Sequence, residues 1–459
     1  MTPSRGGRRL ATVTIPAPDL GPGPFLRQAF GAAWGFWARG DRWVAHRGVV
    51  AEVAGDGSGD RFDDVASWAD ALVADPVLPP GSARAPRVRF YGGFSFRDDH
   101  VPAGPWSAFP PLRFQVPAFE LEGDGSGDAW LRARSLVSAE DAGDALSRLR
   151  RGAEALRAEL TSLSEGEEPP PARVRARRTA TTRADWEAAV GASLDAIRGG
   201  RVTKVVLART LDVDGPADPA TVAMRLREAN RGSYVFLFEP EPGCALVGAA
   251  PETVATLKDG VFHATAVAGS IRRGDTPREQ AELATRLLAS DKDRHEQRVA
   301  LDDMVARLGT VAHRIRTDPQ PHVLTLARIQ HLETQIRASV PAGTGVLDLV
   351  RLLHPTPAVC GLPRDAAMGL LSEVEAFARG WYAGPVGFLD GEGNGMFAPA
   401  LRSAVLDRGR WRLFAGAGIV EGSVASLEWE ETGIKFTPVL DALAAAGVEL
   451  EESTERTRT

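Results

Sequence analysis

The stretch GGRVTKVVLAR, Gly199–Arg209, is where a helical periodicity hands over to a strand periodicity. Upstream, Trp186, Ala189, Val190, Ser193, Leu194 and Ile197 recur at the spacing of one helix face, and Gly199-Gly200 ends the pattern. Downstream, VTKVVLART alternates, so Val202, Lys204, Val206 and Ala208 share one face of a strand. An ammonium group emerging from that apolar face costs free energy unless it is paired or neutral. Lys204 is also the first lysine of the chain, and only Lys258, Lys292 and Lys435 follow it, against fifty arginines. Arginine stays protonated in proteins, whereas a buried lysine can lose its proton and act as a base or nucleophile. A lysine kept against such a bias points to chemistry. An edge lysine that discourages strand aggregation is the plainer alternative.

The rest of the composition narrows the class of partner. The 459 residues are 44% hydrophobic and 25% charged, as in ordinary globular chains. A net charge of −6 argues against a general nucleic-acid binder and leaves small molecules as the expected partners. Cys244 and Cys360 form no CxxC pair, hence neither a disulfide framework nor a zinc site, in keeping with a reducing cytoplasm. The opening MTPSRGGRRLATVTIPAPD lacks the apolar core of a signal peptide. No run approaches the ~18 apolar residues of a membrane span. A cytoplasmic monomer with no membrane contact is the expectation.

The N-terminal third carries no motif. RVRFYGGFSF (Arg87–Phe96) and LRFQVPAFEL (Leu112–Leu121) read as strands, and Asp141–Leu163 as a helix. The GDGSGD runs at Gly55 and Gly123 read as turns, and the tryptophans as packing. SEGEEPPPARVRARR, Ser164–Arg178, breaks all periodicity and reads as a linker or long surface loop. The chain therefore divides into an N-terminal part of the fold, 1–178, a region 179–445 holding every chemical signal, and a polar tail, 446–459.

Within that region, YVFLFEPEPGCALVGAAPETVATL reads as a strand pair that delivers Glu252 after a small-residue turn. A carboxyl held among Gly, Ala and Pro can have its pKa raised by desolvation, which suits a general acid, although most such glutamates are solvated. Asp293 and Glu296 are three apart in SDKDRHEQRV. Glu428 and Glu431 are three apart in LEWEETGIK, with Lys435 four further on. On helices each set falls on one face, and two such faces brought together would build an oxygen-rich site for Mg²⁺. Solvated helix faces are the alternative. FAGAGIVEGS reads as a tight backbone turn at Gly416 and Gly418 that offers N–H groups to a carboxylate.

TKVVLAR, GAAPE, AVAGSIRRG, SDKDRHEQ, IQHLET, LHPTPAVCGLPRDAA, GWYAGPVGFLD, ALRSAV and GAGIVEGSVASLEWEET occur in the order found in chorismate-utilising enzymes. The set, spanning roughly Asp185 to Leu440, resembles the isochorismate synthases among them. The resemblance implies an α+β fold with a large antiparallel two-sheet core, helices outside and a substrate cleft between the sheets. It implies chorismate as substrate and Mg²⁺ as cofactor. By position, Lys204 matches the base that activates water, and Glu252 the acid that protonates the departing hydroxyl. Glu296 and Glu431 match the Mg²⁺ ligands, with Glu428 and Asp293 placed to hold metal-bound water. Gly269, Ser270, Tyr382, Arg402, Gly416, Gly418 and Lys435 match positions lining the dicarboxylate, and His331 matches a site histidine. Gln297 departs from the histidine that many relatives carry after the metal-binding glutamate. Relatives that use ammonia carry glutamine at the position of Lys204, or lysine where this chain has Ala268, which disfavours both branches. Salicylate synthase, which also eliminates pyruvate, is the alternative. The resemblance leaves open whether the product serves menaquinone, siderophore or salicylate formation.

Overall fold

A strand buried on both faces reads as alternation between two apolar environments, and Tyr234–Glu241 shows this directly. Tyr234, Phe236 and Phe238 point into one hydrophobic core, Val235 and Leu237 into another. The computed structural model describes residues 8–18, 20–27, 33–78, 86–138, 140–164, 174–176 and 178–450. Among these, twenty strands join in one hydrogen-bonded network whose pairings are antiparallel throughout.

The network branches at the strand Leu112–Gly123. One edge of this strand pairs with Arg42–Gly55. The other edge pairs with Arg89–Phe94 near its start and with Ala129–Val137 near its end. From Arg42–Gly55 the first arm runs through Trp34–Arg39, Tyr234–Glu241, Cys244–Ala250, Ser403–Asp407 and Arg410–Ile419 to Lys204–Asp214. From Arg89–Phe94 the second arm runs through Pro385–Asp390, Gly395–Pro399, Ala255–Lys258 and Val261–Arg272 to Ile329–Ser339. The two arms pack face to face through an aromatic core that takes Phe236, Leu207 and Phe414 from the first arm and Tyr91, Val386 and Ala398 from the second. The outer face of the first arm is covered by Ala142–Ser164, Pro219–Ala229 and the C-terminal half of Ala425–Ala445. The second is covered by Arg61–Val73, Asp291–Leu308 and Val346–Leu353. The result is the α+β arrangement of two antiparallel sheets between helices.

The helix ahead of Lys204 spans Arg183–Arg198, opened by the Thr182 side chain accepting from Asp185 N–H and closed at Gly199. Three expectations need adjusting. Gly416 and Gly418 lie inside the strand Arg410–Ile419, opposite Ala208 and Val206, and not in a turn; the turn comes later, at Gly422 (φ 82°). Val174–Ala176, inside the stretch read as a loop, forms a short parallel pair with Val448–Leu450, inside the stretch read as a tail. The remainder of the proline-rich run, 165–173 and 177, and of the tail, 451–459, lies outside the described residues. Cys244 and Cys360 are both buried and free. No helix among the described residues is long and apolar enough to cross a membrane.

Candidate active site

A cleft of about 550 Å³ opens between the ends of the two arms, and all fourteen residues singled out from the sequence line it. Lys204 comes from the last strand of the first arm, and Glu252 from the chain just past Cys244–Ala250. Gly269 and Ser270 come from Val261–Arg272, and His331 from Ile329–Ser339. Asp293 and Glu296 descend from the first two turns of Asp291–Leu308. Glu428, Glu431 and Lys435 descend from Ala425–Ala445. Three of the four lysines of the chain meet here, Lys204, Lys292 and Lys435, while Lys258 is exposed at the end of its strand. Lys292 was not singled out from the sequence, although the arginine bias was a signal able to find it.

The carboxylates fall into two groups. Glu252 is fully buried, and its Oε1 has no hydrogen-bond partner among the described residues. Burial pushes its pKa up to about 8, against the opposing pull of the Lys204 charge, so it carries a proton at neutral pH. The others each have a lysine or a neighbouring carboxylate. Lys204 Nζ lies 2.8 Å from Glu296 Oε1, Lys435 Nζ 2.6 Å from Glu431 Oε1, and Lys292 Nζ 3.6 Å from Glu428 Oε1. Burial, with Glu431 adding to it, raises the Glu428 pKa; burial and nearby Glu296 raise that of Asp293. Four acidic side chains crowd one wall, where an added cation would relieve their mutual repulsion. Hard oxygen donors of this kind suit Mg²⁺. Among the described residues no three ligand-type side chains already converge on one point, because the lysines stand against the carboxylates. Gln297 turns away from the cleft and donates to Thr334 Oγ1 at 2.6 Å, so it takes no part in orienting Glu296.

The wall beside Glu431 is cationic. Arg402 is half-buried, with a positive φ of 49°, and Nη2 lies 2.9 Å from His331 Nε2. Guanidinium only donates, so Nε2 accepts. Nδ1 then carries the ring proton and faces Gly269 O at 3.2 Å and Ser270 Oγ at 3.0 Å. Burial, reinforced by the Arg402 and Lys435 charges, lowers the His331 pKa to about 3. His331 is therefore a neutral orienter of Arg402 and not an acid or base. Tyr382 stacks on Phe414 at 4.9 Å and 15°, beside this wall.

Glycine makes the space. Gly269 (φ 74°) is the extra residue of a bulge between Ala268 and Ser270, and a Cβ there would come within 2.8 Å of the Asp293 Cβ. A Cβ at Gly418 would sit 2.7 Å from Glu296 Oε1, and one at Gly416 3.0 Å from the Tyr382 hydroxyl. The two glycines keep one strand face bare so that side chains from other elements can cross it.

Comparison with known proteins places the chain in a family. The family described as chorismate binding enzyme matches residues 4–444. The salicylate biosynthesis isochorismate synthase of Pseudomonas aeruginosa is 35% identical over 430 residues, covering 90% of this chain and 85% of that one. The isochorismate synthase MenF of Bacillus subtilis is 33% identical over 355 residues, covering 77% and 74%. Among solved structures, the menaquinone-specific isochorismate synthase of Escherichia coli superposes with a TM-score of 0.78 at 25% identity, covering 96% of each chain. With the match running through both the N-terminal strands and the cleft, the chain belongs to the chorismate-binding enzyme family.

Proposed function

We propose that the cleft isomerises chorismate to isochorismate in the presence of Mg²⁺, adding water at C2 and releasing the C4 hydroxyl as water while the ring double bonds shift. The observation that carries this reading is a protonated carboxyl, Glu252, and an amine, Lys204, buried on the same cleft. The carboxyl can give a proton, and the amine, once it has released its own proton, can take one, as a reaction needs when one hydroxyl enters a ring and another leaves it. Lys204 Nζ takes the proton of the attacking water, and the Glu252 carboxyl donates to the departing hydroxyl.

Arg402, aimed by His331, and the Tyr382 hydroxyl hold the enolpyruvyl carboxylate. The ring carboxylate then faces the acidic wall, where Lys435 stands. Glu296 and Glu431, with Glu428 and Asp293 beside them, are the residues to hold Mg²⁺, which when bound supplies the positive charge that makes this wall compatible with a dianion. With both carboxylates fixed, the ring is held between base and acid, and most of the acceleration comes from that placement.

The test is to incubate the purified chain with chorismate, with and without Mg²⁺, and to separate isochorismate, salicylate and pyruvate. Isochorismate formed only with Mg²⁺ is the expected outcome. Equal amounts of salicylate and pyruvate would reassign the chain to salicylate formation, and unchanged chorismate would overturn the reading altogether.

A further inference from the structure

The strand that carries Lys204 is incompletely paired on one edge. Its inner edge pairs without a break, from Val205 opposite Ile419 to Asp214 opposite Arg410. Its outer edge meets Gly361–Leu362 at Val205 and Lys204, with Val206 N–H donating to Cys360 O at 2.8 Å. It then meets Arg178–Ala180 at Leu211 to Val213, with Thr181 N–H donating to Thr210 O at 3.1 Å. Between these two short strands lie Val206 O and Ala208 N–H, with no strand opposite them.

An ion pair of side chains fills that gap. Ala208 N–H donates to Glu375 Oε1 at 2.8 Å, and Arg379 Nη2 donates to Val206 O at 2.6 Å. Arg379 Nε and Nη2 fork onto Glu375 at 2.8 and 2.6 Å, and Nη1 donates to Val359 O at 2.8 Å. The two side chains are only 4% and 6% exposed. Three walls of the cleft therefore converge on Arg379: its guanidinium holds Val206, two residues from Lys204, and Val359, and lies 5.8 Å from the centre of the Tyr382 ring, while its backbone carbonyl accepts from Tyr382 N–H at 2.9 Å. A buried ion pair is a weak source of stability compared with apolar packing, but its directional bonds set geometry.

Resting on the function proposed above, we propose that Glu375 and Arg379 are positioning residues: together they substitute for a missing strand and hold Lys204, Val359 and Tyr382 in register. Neither touches substrate.

The experiment compares chorismate turnover, per folded molecule, in wild type and in the Arg379→Lys, Glu375→Gln and Arg379→Ala variants. If wild type makes no isochorismate, the functional reading fails and not this one. Given an active wild type, Arg379→Lys keeps the charge but cannot reach Glu375, Val206 and Val359 together. Its kcat is expected to fall about 10-fold to 100-fold with KM for chorismate nearly unchanged, as for a displaced catalytic group. Glu375→Gln retains an acceptor for Ala208 N–H and is expected to lose less. A cavity of about 310 Å³ lined by Glu375 and Arg379 adjoins the pair. Millimolar guanidinium is therefore expected to restore part of kcat in Arg379→Ala, while ammonium does not. Wild-type kcat in Arg379→Lys overturns the proposal. So does a loss in Arg379→Lys that follows only the folded fraction, which decides the matter even if Arg379→Ala does not fold.

Discussion

This molecule buries charge in two places, and it does so in opposite ways. Under the N-terminal strands, Glu120 is wholly buried and receives three arginines, Arg89 at 2.9 Å, Arg132 at 2.8 Å and Arg134 at 3.0 Å. They hold its carboxyl far below the usual range despite the burial that opposes them. In the cleft, Glu252 is equally buried but has an unpartnered oxygen, and its carboxyl is pushed up to about 8. The lysines there each meet one carboxylate, and Lys435 also donates to Gly416 O. The arginines saturate both Glu120 oxygens, and what stays without a partner among the described residues there is donors, Arg89 Nε and Arg134 Nε and Nη1, with no acid left free. Point-like lysines and a lone protonated carboxyl leave bonding capacity open to the cavity. The comparison separates charge that holds the fold from charge available for chemistry.

The strongest way to break this contrast is at the acidic wall. Glu431→Gln or Glu296→Gln is expected to remove Mg²⁺-dependent turnover while circular dichroism stays native, since each substitution deletes a charged ligand from a site with few. Full activity at ordinary Mg²⁺ in either variant would rule out the metal assignment. Next, Lys204→Arg keeps the positive charge but cannot give up a proton at working pH. It is expected to lose about 10²-fold to 10⁴-fold in kcat. A rate within a few-fold of wild type would leave Lys204 a purely electrostatic role.

Glu252→Gln is expected to lower kcat by about 10²-fold while chorismate still binds, as measured by titration. Its pH behaviour sharpens the point. Because the folded protein holds the Glu252 proton up to a pH of about 8, against an ordinary 4.5, wild type loses stability as pH rises through that window. The glutamine variant does not, so its melting temperature should gain on wild type from pH 5 to pH 9. The wild-type rate should itself fall as pH passes about 8. An equal Tm difference at both pH values would show that Glu252 is not held protonated.

Glu120→Ala tests the other cluster. Stripping the shared partner from two buried arginines and a half-buried one is expected to cost about 3–5 kcal/mol in denaturant unfolding, with kcat per folded molecule unchanged. The smallest effect is expected at Lys258, exposed at a strand end. Lys258→Arg should change stability by less than about 0.5 kcal/mol and leave turnover alone. A loss of activity there would mean that lysine is retained in this chain for reasons unrelated to the cleft.

Much of this was legible from local pattern. Helix Arg183–Arg198, the hairpin ahead of Glu252 and the acidic helices follow from periods of 3.6 and 2, which are properties of a short stretch. Lysine against an arginine background marked Lys204 before any contact was known. Other features depend on residues remote in sequence. Gly416 and Gly418 read locally as a turn, but they pair with Ala208 and Val206, so whether they form strand or turn was decided by a partner some two hundred residues away. Gln297 stands next to Glu296 in sequence, yet its amide is turned by Thr334 on another element.

By itself, then, the sequence determined the kinds of element, the carboxylates and lysines gathered in the cleft, and the family whose motifs they share. Only the tertiary structure decided that Glu252 is buried without a partner, that His331 is a neutral acceptor for Arg402, and that Glu375 and Arg379 complete the Lys204 strand. Burial, protonation and hydrogen-bond direction are set by what surrounds a side chain in space. Those surroundings come from elements that close together only when the two arms pack face to face.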